Sequence, residues 1–344
     1  MTSGLATATL VRIGELTNRT YVLPVLVFFP TSRCNSRCVS CDWWKSSGAD
    51  DLSLAEIAEL AGSLPGLGAR LVVFSGGEPL LRPDVFEAAR LFRANGLTLH
   101  LLTSGVLLEK CAAEVAREFS RVIVSLDAST EALYHDIRGV SALGLVEKGV
   151  ARLRRLAPSI PVTARATLHR MNFRELPRLI DHARAMALDG ISFLAADVSS
   201  SAFGRGGAPA GGGLVLERRE IEEFSAIVER TIIDRAGDFE SGFIAESPAK
   251  LRRLPQYYDA LVHGRRFAPL ACNAPWMSAV VEANGVVRPC FFHEPIGSIR
   301  EAPLASIVAN ELRRFRQMLD VGTNPVCGRC VCSMKVGWRN LPWQ

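Results

Sequence analysis

Short apolar runs alternate with longer amphipathic segments between about residues 22 and 200. The apolar runs cover residues 22–29, 71–74, 97–102, 122–126, 162–168 and 191–195. Helical spacing of apolar residues follows each run, which is the pattern of a repeated β–α unit. Because β–α–β crossovers are right-handed, six such units build one parallel sheet. We therefore predict the α/β class, with a partial TIM-like (β/α)6 barrel.

Local signals place several element boundaries. Ser53 and Glu56 form an S-x-x-E capping box before a predicted helix over residues 54–64. Pro83 is expected in the first turn of the next helix. A further helix is predicted over residues 217–233. The Asn-Gly pair within residues 282–287 indicates a β-hairpin with a tight turn.

The predicted organisation has five parts. They are an N-terminal extension (1–21), the barrel (22–200), a glycine-rich linker or loop (201–216), a helical connection (217–265) and a cysteine-rich module (266–344). Residues 199–213 contain too many glycines for a core element, so we expect a mobile loop, either a lid or a solvated linker. The last part has few long periodic elements and therefore needs a metal to stabilise it.

Charge and hydropathy exclude several classes of partner. The 40 basic and 35 acidic residues give a net charge of +5 without a long run of one sign. This distribution does not indicate a nucleic-acid partner. The apolar segment at 21–30 is too short to span a bilayer and lacks a signal-peptide cleavage site, so we expect no membrane partner and a cytoplasmic location. In that reducing compartment, nine cysteines favour metal ligation or redox chemistry over disulfides.

Three cysteines follow the first predicted strand with the spacing C-x-x-x-C-x-x-C. They are Cys34, Cys38 and Cys41. The ends of parallel strands carry the chemistry of barrel enzymes. Three thiolates on a four-iron cluster leave one iron open to another ligand. The alternatives, a zinc site completed by a histidine or unrelated buried thiols, leave the next motif unexplained.

A glycine-rich segment ends the second predicted strand. It consists of Gly76, Gly77, Glu78 and Pro79. Glycines allow a backbone to approach a ligand closely, and the carboxylate can accept a hydrogen bond from an ammonium group. Two motifs on successive β–α units indicate one shared site.

The cysteine spacing, its position after strand one and the G-G-E-P segment together resemble the radical SAM superfamily. The resemblance implies that Cys34, Cys38 and Cys41 hold a [4Fe–4S] cluster whose open iron binds S-adenosylmethionine, and that the G-G-E-P segment meets the methionine amino group. It further implies reductive cleavage to a 5′-deoxyadenosyl radical, which removes hydrogen from a substrate. The electron would come from a donor such as flavodoxin or ferredoxin.

The resemblance extends over roughly the first 200 residues and suggests further contacts with S-adenosylmethionine. The residues concerned are Ser104 after strand three, Ser125 and Asp127 after strand four, Arg138 in the HDIRG stretch, and Arg165 on strand five. Each also has an ordinary structural explanation, as a turn, a helix cap or an ion pair. Ser40 stands where many relatives have an aromatic residue, which argues against adenine stacking there.

The C-terminal cysteines resemble the twitch module, a shortened SPASM domain. The resemblance implies an auxiliary [4Fe–4S] cluster held by Cys272, Cys290, Cys327 and Cys330. Cys332 departs from the family spacing and either replaces Cys330 or remains free. A structural zinc ribbon is the alternative, since four thiolates suit both metals. Cys111, in a predicted helix, fits a buried small hydrophobic residue.

The resemblance leaves the reaction open. The auxiliary cluster would either accept an electron from the substrate radical or serve structurally. His293 is a candidate catalytic acid or base, with a structural hydrogen-bond donor as the alternative.

The substrate class is also open. The barrel begins by about residue 22, without a separate N-terminal domain to capture a leader peptide. We therefore expect a small-molecule substrate, a hydroxylated sugar, cyclitol or nucleoside, in a dehydrogenase or decarboxylase-type lyase of antibiotic biosynthesis. A maturase of ribosomal peptides and a non-catalytic metal-binding module are the alternatives.

Overall fold

The structure, a computed structural model, describes residues 4–205, 212–267 and 270–337 of the 344-residue chain. Its strands in these residues are β1 (Val25–Phe28), β2 (Leu71–Phe74), β3 (Thr98–Thr103), β4 (Arg121–Ser125), β5 (Val162–Leu168), β6 (Gly190–Ala195), β7 (Ser278–Val281), β8 (Val286–Arg288) and β9 (Gly297–Ser298). Its helices there are α1 (Gly4–Thr17), α2 (Leu54–Ser63), α3 (Val85–Ala94), α4 (Leu108–Glu118), α5 (Glu131–Arg138), α6 (Leu143–Leu156), α7 (Leu176–Ala185), α8 (Arg218–Asp234), α9 (Ala236–Glu240), α10 (Pro248–His263), α11 (Ala274–Met277), α12 (Leu304–Ala309), α13 (Glu311–Met318) and α14 (Pro325–Gly328).

Strands β1 to β6 lie side by side in chain order, and every neighbouring pair is parallel. Helices of the β–α units separate them along the chain. All six predicted strands are present, and β2 and β5 have the predicted bounds. The α/β class and the partial barrel are thus confirmed.

The sheet continues past β1 into the cysteine-rich part of the chain. Strand β7 pairs with β1 in parallel, from Val25 opposite Ser278 to Phe28 opposite Val281. Strands β8 and β9 then extend the sheet in the antiparallel sense. The predicted hairpin is confirmed by the β7–β8 pair, and Gly285 in its turn has a φ of +87°. The C-terminal segment therefore shares one sheet with the barrel.

Helix boundaries follow their caps. The Ser53–Glu56 capping box forms as predicted at the start of α2. Helix α3 begins at Val85 behind Asp84, so Pro83 precedes the cap and the first-turn prediction was wrong. Helix α8 starts one residue later than predicted, with Glu217 as its cap. Helix α1 was not predicted.

The core lies between the sheet and its helices. Phe28, Phe74 and Phe92 are fully buried, and their rings meet at centroid distances of 5.3–5.6 Å. Cys111 on α4 is half-buried and packs against this core, in accord with its predicted role as a small hydrophobic residue. No helix within the described residues combines the length and apolar character needed to cross a bilayer.

Candidate functional site

A cavity of about 230 Å³ opens at the carboxyl ends of strands β2 to β6. Almost all residues predicted for the first cluster and its cofactor line it: Cys34, Cys38, Cys41, Gly76, Gly77, Glu78, Ser104, Ser125, Asp127, Arg138 and Arg165. Parallel strands bring these residues together because their carboxyl ends share one edge of the sheet. We call this space the barrel cavity. Pro79 and His293 are not in its wall.

The three motif cysteines lie on a loop that follows β1, and this loop is tied to its surroundings through backbone hydrogen bonds. The N–H groups of Arg37 and Val39 donate to the carbonyls of Arg138 and Ile137, at 2.7 and 3.0 Å. Those carbonyls belong to the end of α5, so the HDIRG stretch holds the cysteine loop. Gly139 is needed there because its φ is +66° and a Cβ would come within 2.7 Å of Arg37.

Burial shapes the acidity of the motif thiols. It raises the pKa of Cys34 to about 11 and that of Cys41 to about 12, and it also raises the pKa of Cys38. Iron binds thiolates, so cluster assembly must release protons from these groups. Three thiols that line one cavity fit a cluster that keeps one iron open.

The two glycines of the G-G-E-P segment let it pack against the cysteine loop. A Cβ on Gly77 would lie 2.1 Å from the carbonyl oxygen of Arg33, and one on Gly76 would lie 2.6 Å from Phe29. The Glu78 N–H donates to the same Arg33 carbonyl at 2.8 Å. In this structure Gly77 approaches the Arg33 backbone closely, and Gly76 approaches the Phe29 side chain.

The Glu78 carboxylate is fully buried and ties this segment to the end of β3. It accepts hydrogen bonds from the Thr103 hydroxyl at 2.7 Å, the Ser104 N–H at 2.6 Å and the Leu80 N–H at 3.1 Å. A carboxylate has about four acceptor positions, so one remains for a ligand. Pro79 starts the following 3-10 turn and is buried, and its predicted place in the cofactor site stays a prediction.

Asp127 and Arg138 form a buried ion pair at 2.7 Å in the cavity wall. The other oxygen of Asp127 accepts from the Thr167 N–H at 2.7 Å. The Arg138 guanidinium also lies close enough to Cys38 for the two charges to interact. The pair therefore connects β4, β5 and the cysteine loop, a function that sequence reasoning did not anticipate.

Other predicted residues are positioned by short polar contacts. Ser125 and Arg165 are register partners on β4 and β5. The Arg165 Nε donates to Ser192 at 3.2 Å. The Ser104 hydroxyl donates to the side-chain oxygen of Asn35 at 3.2 Å. Asn35 was missed, and its place within the cysteine motif was the only available signal.

A segment after β6 closes over the third cysteine. Arg205 pairs with Asp197 at 3.1 Å, both side chains are almost fully buried, and Arg205 also donates to the Ser40 carbonyl. The Phe203 carbonyl accepts from the Asp42 N–H at 2.8 Å and lies 3.6 Å from the Cys41 sulfur. The sequence predicts a mobile loop, a lid or a solvated linker, over residues 199–213. Residues 199–205 are anchored instead, and residues 206–211 lie outside the described part.

Replacing Arg205 by methionine is expected to weaken the first cysteine site. The change leaves the Asp197 carboxylate buried without its partner, and breaking such a pair costs about 3 kcal/mol or more. We expect a lower free energy of unfolding and faster loss of cluster iron to a chelator. Arg230→Met is the matched control, because the Arg230–Asp234 pair is exposed and should change neither measurement. Equal iron loss in both variants would contradict the assigned role.

The C-terminal cysteines form a second group. Burial, with the neighbouring thiols, raises the pKa of Cys290 to about 11 and that of Cys327 to about 12. Cys272 and Cys330 lie within electrostatic range of them. Within the described residues, no three His, Cys, Asp or Glu side chains converge closely enough to bind a single metal ion.

His293 belongs to this second group. Its Nε2 lies 3.3 Å from the Cys327 sulfur, and its ring meets Phe315 edge-on at 4.8 Å. The contact with Cys327 agrees with the structural alternative for His293, and its role as a catalytic acid or base stays a prediction.

The C-terminal segment, which carries the second cysteine group, also contributes to the wall of the barrel cavity. Phe291, Phe292, Val331 and Cys332 come from the C-terminal segment and line the barrel cavity. A second cavity of about 470 Å³ lies alongside, and it shares Ser75, Gly76, Phe203 and Phe291 with the first. We call it the side cavity.

Two protein-family models match this chain. The model for the radical SAM superfamily matches residues 28–183, and the model for an iron-sulfur cluster-binding domain, SPASM, matches residues 272–331. These ranges contain the first and second cysteine groups, apart from Cys332.

Curated relatives match over different lengths. A PqqA peptide cyclase of Rhodopseudomonas palustris is 28% identical over 284 residues, which is 80% of this chain and 70% of the relative. An AdoMet-dependent heme synthase of Methanosarcina barkeri is 30% identical over 161 residues, 45% of this chain and 46% of the relative. This chain thus spans less than half of the heme synthase.

Solved structures share the fold. Streptococcus suis SuiB bound to S-adenosylmethionine superposes with a TM-score of 0.66 at 14% identity, covering 95% of this chain and 76% of SuiB. The enzyme anSMEcpe with bound AdoMet gives a TM-score of 0.63 at 16% identity, covering 88% of this chain and 84% of that one. At these identities the likeness establishes the architecture alone.

Proposed function

Because this chain is a radical SAM enzyme with a C-terminal SPASM-type iron–sulfur domain, we propose that it modifies a peptide. The observation that carries the proposal is the length of two matches, both to peptide cyclases. Similarity to PqqA peptide cyclases extends over 80% and 82% of the chain, whereas a heme synthase and a GTP 3′,8-cyclase match over less than half. The longer matches cover more residues than the radical SAM domain itself contains.

The enzyme uses two [4Fe–4S] clusters and S-adenosylmethionine. When bound, they supply a reactive carbon radical that removes a hydrogen atom from the substrate. Cys34, Cys38 and Cys41 are the thiolates of the first cluster, and Cys272, Cys290, Cys327 and Cys330 form the proposed ligand set of the auxiliary one. A flavodoxin or ferredoxin is the proposed electron donor.

The chain's own residues hold the cofactor and exclude water. In our proposal, Arg165 pairs with the methionine carboxylate and the remaining acceptor position of Glu78 faces the ammonium. Ser104, Ser125 and the Asp127–Arg138 pair complete the wall around the nucleoside. The anchored cysteine loop would hold the cluster in a fixed position relative to the substrate. Such positioning is the main contribution that a protein makes to cofactor chemistry.

The side cavity offers space for an extended substrate next to the barrel cavity. Its wall combines the aromatic rings of Phe29, Trp43 and Phe291 with the charged groups of Glu282 and Glu294. A peptide offers apolar side chains and charged groups to such a wall, and it is long enough to occupy both cavities. The wall that the two cavities share supports a peptide more than a single sugar ring.

This proposal replaces our expectation of a small hydroxylated substrate. That expectation came from the position at which the barrel begins, and the relatives aligned over most of the chain are named for a peptide. The predicted dehydrogenase or lyase activity and the link to antibiotic biosynthesis lose their support for the same reason. The non-catalytic module is set aside because the chain is a radical SAM enzyme.

Rates of 5′-deoxyadenosine formation test the substrate class. The reconstituted enzyme would be reduced with dithionite under anaerobic conditions and given synthetic peptides translated from short reading frames beside its gene. A panel of cyclitols and nucleosides is the parallel arm. We expect one peptide to raise the rate above the substrate-free value and to change in mass. A rate increase confined to the cyclitols or nucleosides would contradict the proposal.

A further inference from the structure

The described wall of the side cavity has a surplus of negative charge. Its charged side chains there are two carboxylates, Glu282 and Glu294, against one guanidinium, Arg288. Glu282 and Arg288 pair at 2.6 Å, and both side chains are largely buried. Arg288 also donates to the His293 carbonyl at 3.0 Å. Because these two charges neutralise each other, the Glu294 carboxylate remains without a counter-charge.

Glu294 is an exposed residue with few partners of its own. In the described part of the chain, the Ser201 hydroxyl donates to its carboxylate at 3.2 Å, and no basic side chain comes within ion-pair distance. A carboxylate has about four acceptor positions, so about three remain for a ligand. A cation from outside the chain can therefore bind Glu294 without displacing a protein partner.

Aromatic rings form another part of the same wall. The Phe29 ring lies 5.8 Å from the Trp43 ring and 5.8 Å from the Phe291 ring, so the three make one continuous surface. An aromatic face attracts an ammonium or guanidinium group within about 6 Å, and tryptophan does so most strongly. The alkyl stems of lysine and arginine pack on such rings while their charged ends stay near water. An exposed carboxylate in one wall with this surface suits a long cationic side chain.

We propose that the side cavity binds a lysine or arginine side chain of the substrate, with Glu294 as its ionic partner and Trp43 and Phe291 as its aromatic surface. The proposal rests on the peptide modification described above and specifies a residue class that the peptide carries. The side cavity shares Ser75 and Gly76 with the barrel cavity, so the bound cation holds the adjoining part of the peptide near the cofactor site. Glu294 is thus a specificity residue that does not touch the reacting atoms.

A structural role for Glu294 is the competing explanation. Its hydrogen bond with Ser201 connects the segment after β6 with the C-terminal segment. Glutamine separates the two roles, because its side-chain oxygen can still accept from Ser201 while the negative charge is removed. Glu301→Gln is the matched control, since Glu301 is also exposed and does not line the side cavity.

Carboxyl labelling tests this binding site without a peptide substrate. The reconstituted holoenzyme would be treated anaerobically with a carbodiimide and glycine ethyl ester, and the labelling of Glu294 and Glu301 mapped by mass spectrometry. We expect Nα-acetylarginine amide to slow the labelling of Glu294 and to leave that of Glu301 unchanged. The uncharged Nα-acetylnorleucine amide should protect neither, and Trp43→Leu should weaken the protection by the arginine amide. Equal labelling of Glu294 with and without the arginine amide would overturn the proposal.

Peptide kinetics test the role of the charge in recognition. In the peptide that stimulates 5′-deoxyadenosine formation, replacing the bound Lys or Arg by norleucine should raise KM about tenfold and leave kcat unchanged. Glu294→Gln should raise KM for the parent peptide by a similar factor, and Glu301→Gln should not. With Glu294→Lys, a peptide that carries glutamate at that position should regain the lost affinity, which a purely structural role would not allow.

Two kinetic results would contradict the proposal. They are a stimulating peptide without Lys or Arg, and equal KM values for the wild type and Glu294→Gln. If no peptide is modified at all, the proposed function fails, while the labelling measurement still decides whether the side cavity binds a cation. If a peptide is modified and the arginine amide gives no protection, the cation site fails and the proposed function stands.

Discussion

Replacing Cys38 by alanine is expected to abolish cleavage of S-adenosylmethionine completely. Cys38 is the central thiol of the first motif and lies within electrostatic range of the buried Arg138 guanidinium. Without it, two thiolates remain for a four-iron cluster, too few to hold it. We expect the loss of about four irons per chain, the number in that cluster. The irons of the auxiliary cluster should stay, because its cysteines come from the C-terminal segment.

The measurements are iron content, the electron paramagnetic resonance signal of the reduced enzyme and 5′-deoxyadenosine by mass spectrometry. Cys111→Ala is the matched control, since Cys111 packs against the core and should leave both clusters intact. Cleavage retained by Cys38→Ala would remove the first cluster from the mechanism.

Replacing Asp127 by alanine is expected to cause a large loss of stability. Asp127 and Arg138 have side-chain exposures of only 7% and 9%, and the change leaves the guanidinium buried without a partner. Removing one member of a buried pair costs about 3–5 kcal/mol. The Thr167 N–H also loses its acceptor. We expect the free energy of unfolding in urea to fall by that amount.

Two further variants make the Asp127 result interpretable. Asp234→Ala breaks an exposed pair of 3.6 Å with Arg230 and should cost about 1 kcal/mol or less. The double change Asp127→Ala with Arg138→Met removes the unpaired charge and should recover part of the loss. A single Asp127→Ala variant as stable as Asp234→Ala would mean that the pair does not anchor the cysteine loop.

Local sequence patterns were sufficient to predict the six barrel strands. Each apolar run has the length of a strand and is followed by helical periodicity, so strand type and order follow from neighbouring residues. The pairing of β1 with β7 could not be predicted in this way. It joins Val25 to Ser278, and the buried run Ser278–Val281 carries no signal about its partner.

The sequence predicted those residues of the candidate site that belong to motifs at the carboxyl ends of strands. Residues such as Glu78, Ser125 and Arg165 converge because the sheet topology brings strand ends together. Asp197 and Arg205 were missed because they flank a glycine- and serine-rich stretch that is typical of a linker. Their pairing depends on how the chain turns after β6, and nothing in the local composition indicates that turn.

The substrate class was the weakest inference from sequence, for a physical reason. The wall that would meet a substrate combines the barrel with distant residues such as Phe203 and Phe291. Its shape therefore arises only when the C-terminal segment joins the sheet through β7. Motif spacing indicates which residues bind the cofactor, but it says little about the shape of the wall that would meet the substrate.

Deuterium transfer from a labelled peptide tests the central claim most directly. The peptide that stimulates 5′-deoxyadenosine formation would be synthesised with fully deuterated residues and incubated with the reduced enzyme and unlabelled S-adenosylmethionine in H₂O. A peptide substrate predicts that one deuterium atom appears in 5′-deoxyadenosine. Unlabelled 5′-deoxyadenosine from every deuterated peptide, together with labelled product from a deuterated cyclitol or nucleoside, would contradict it.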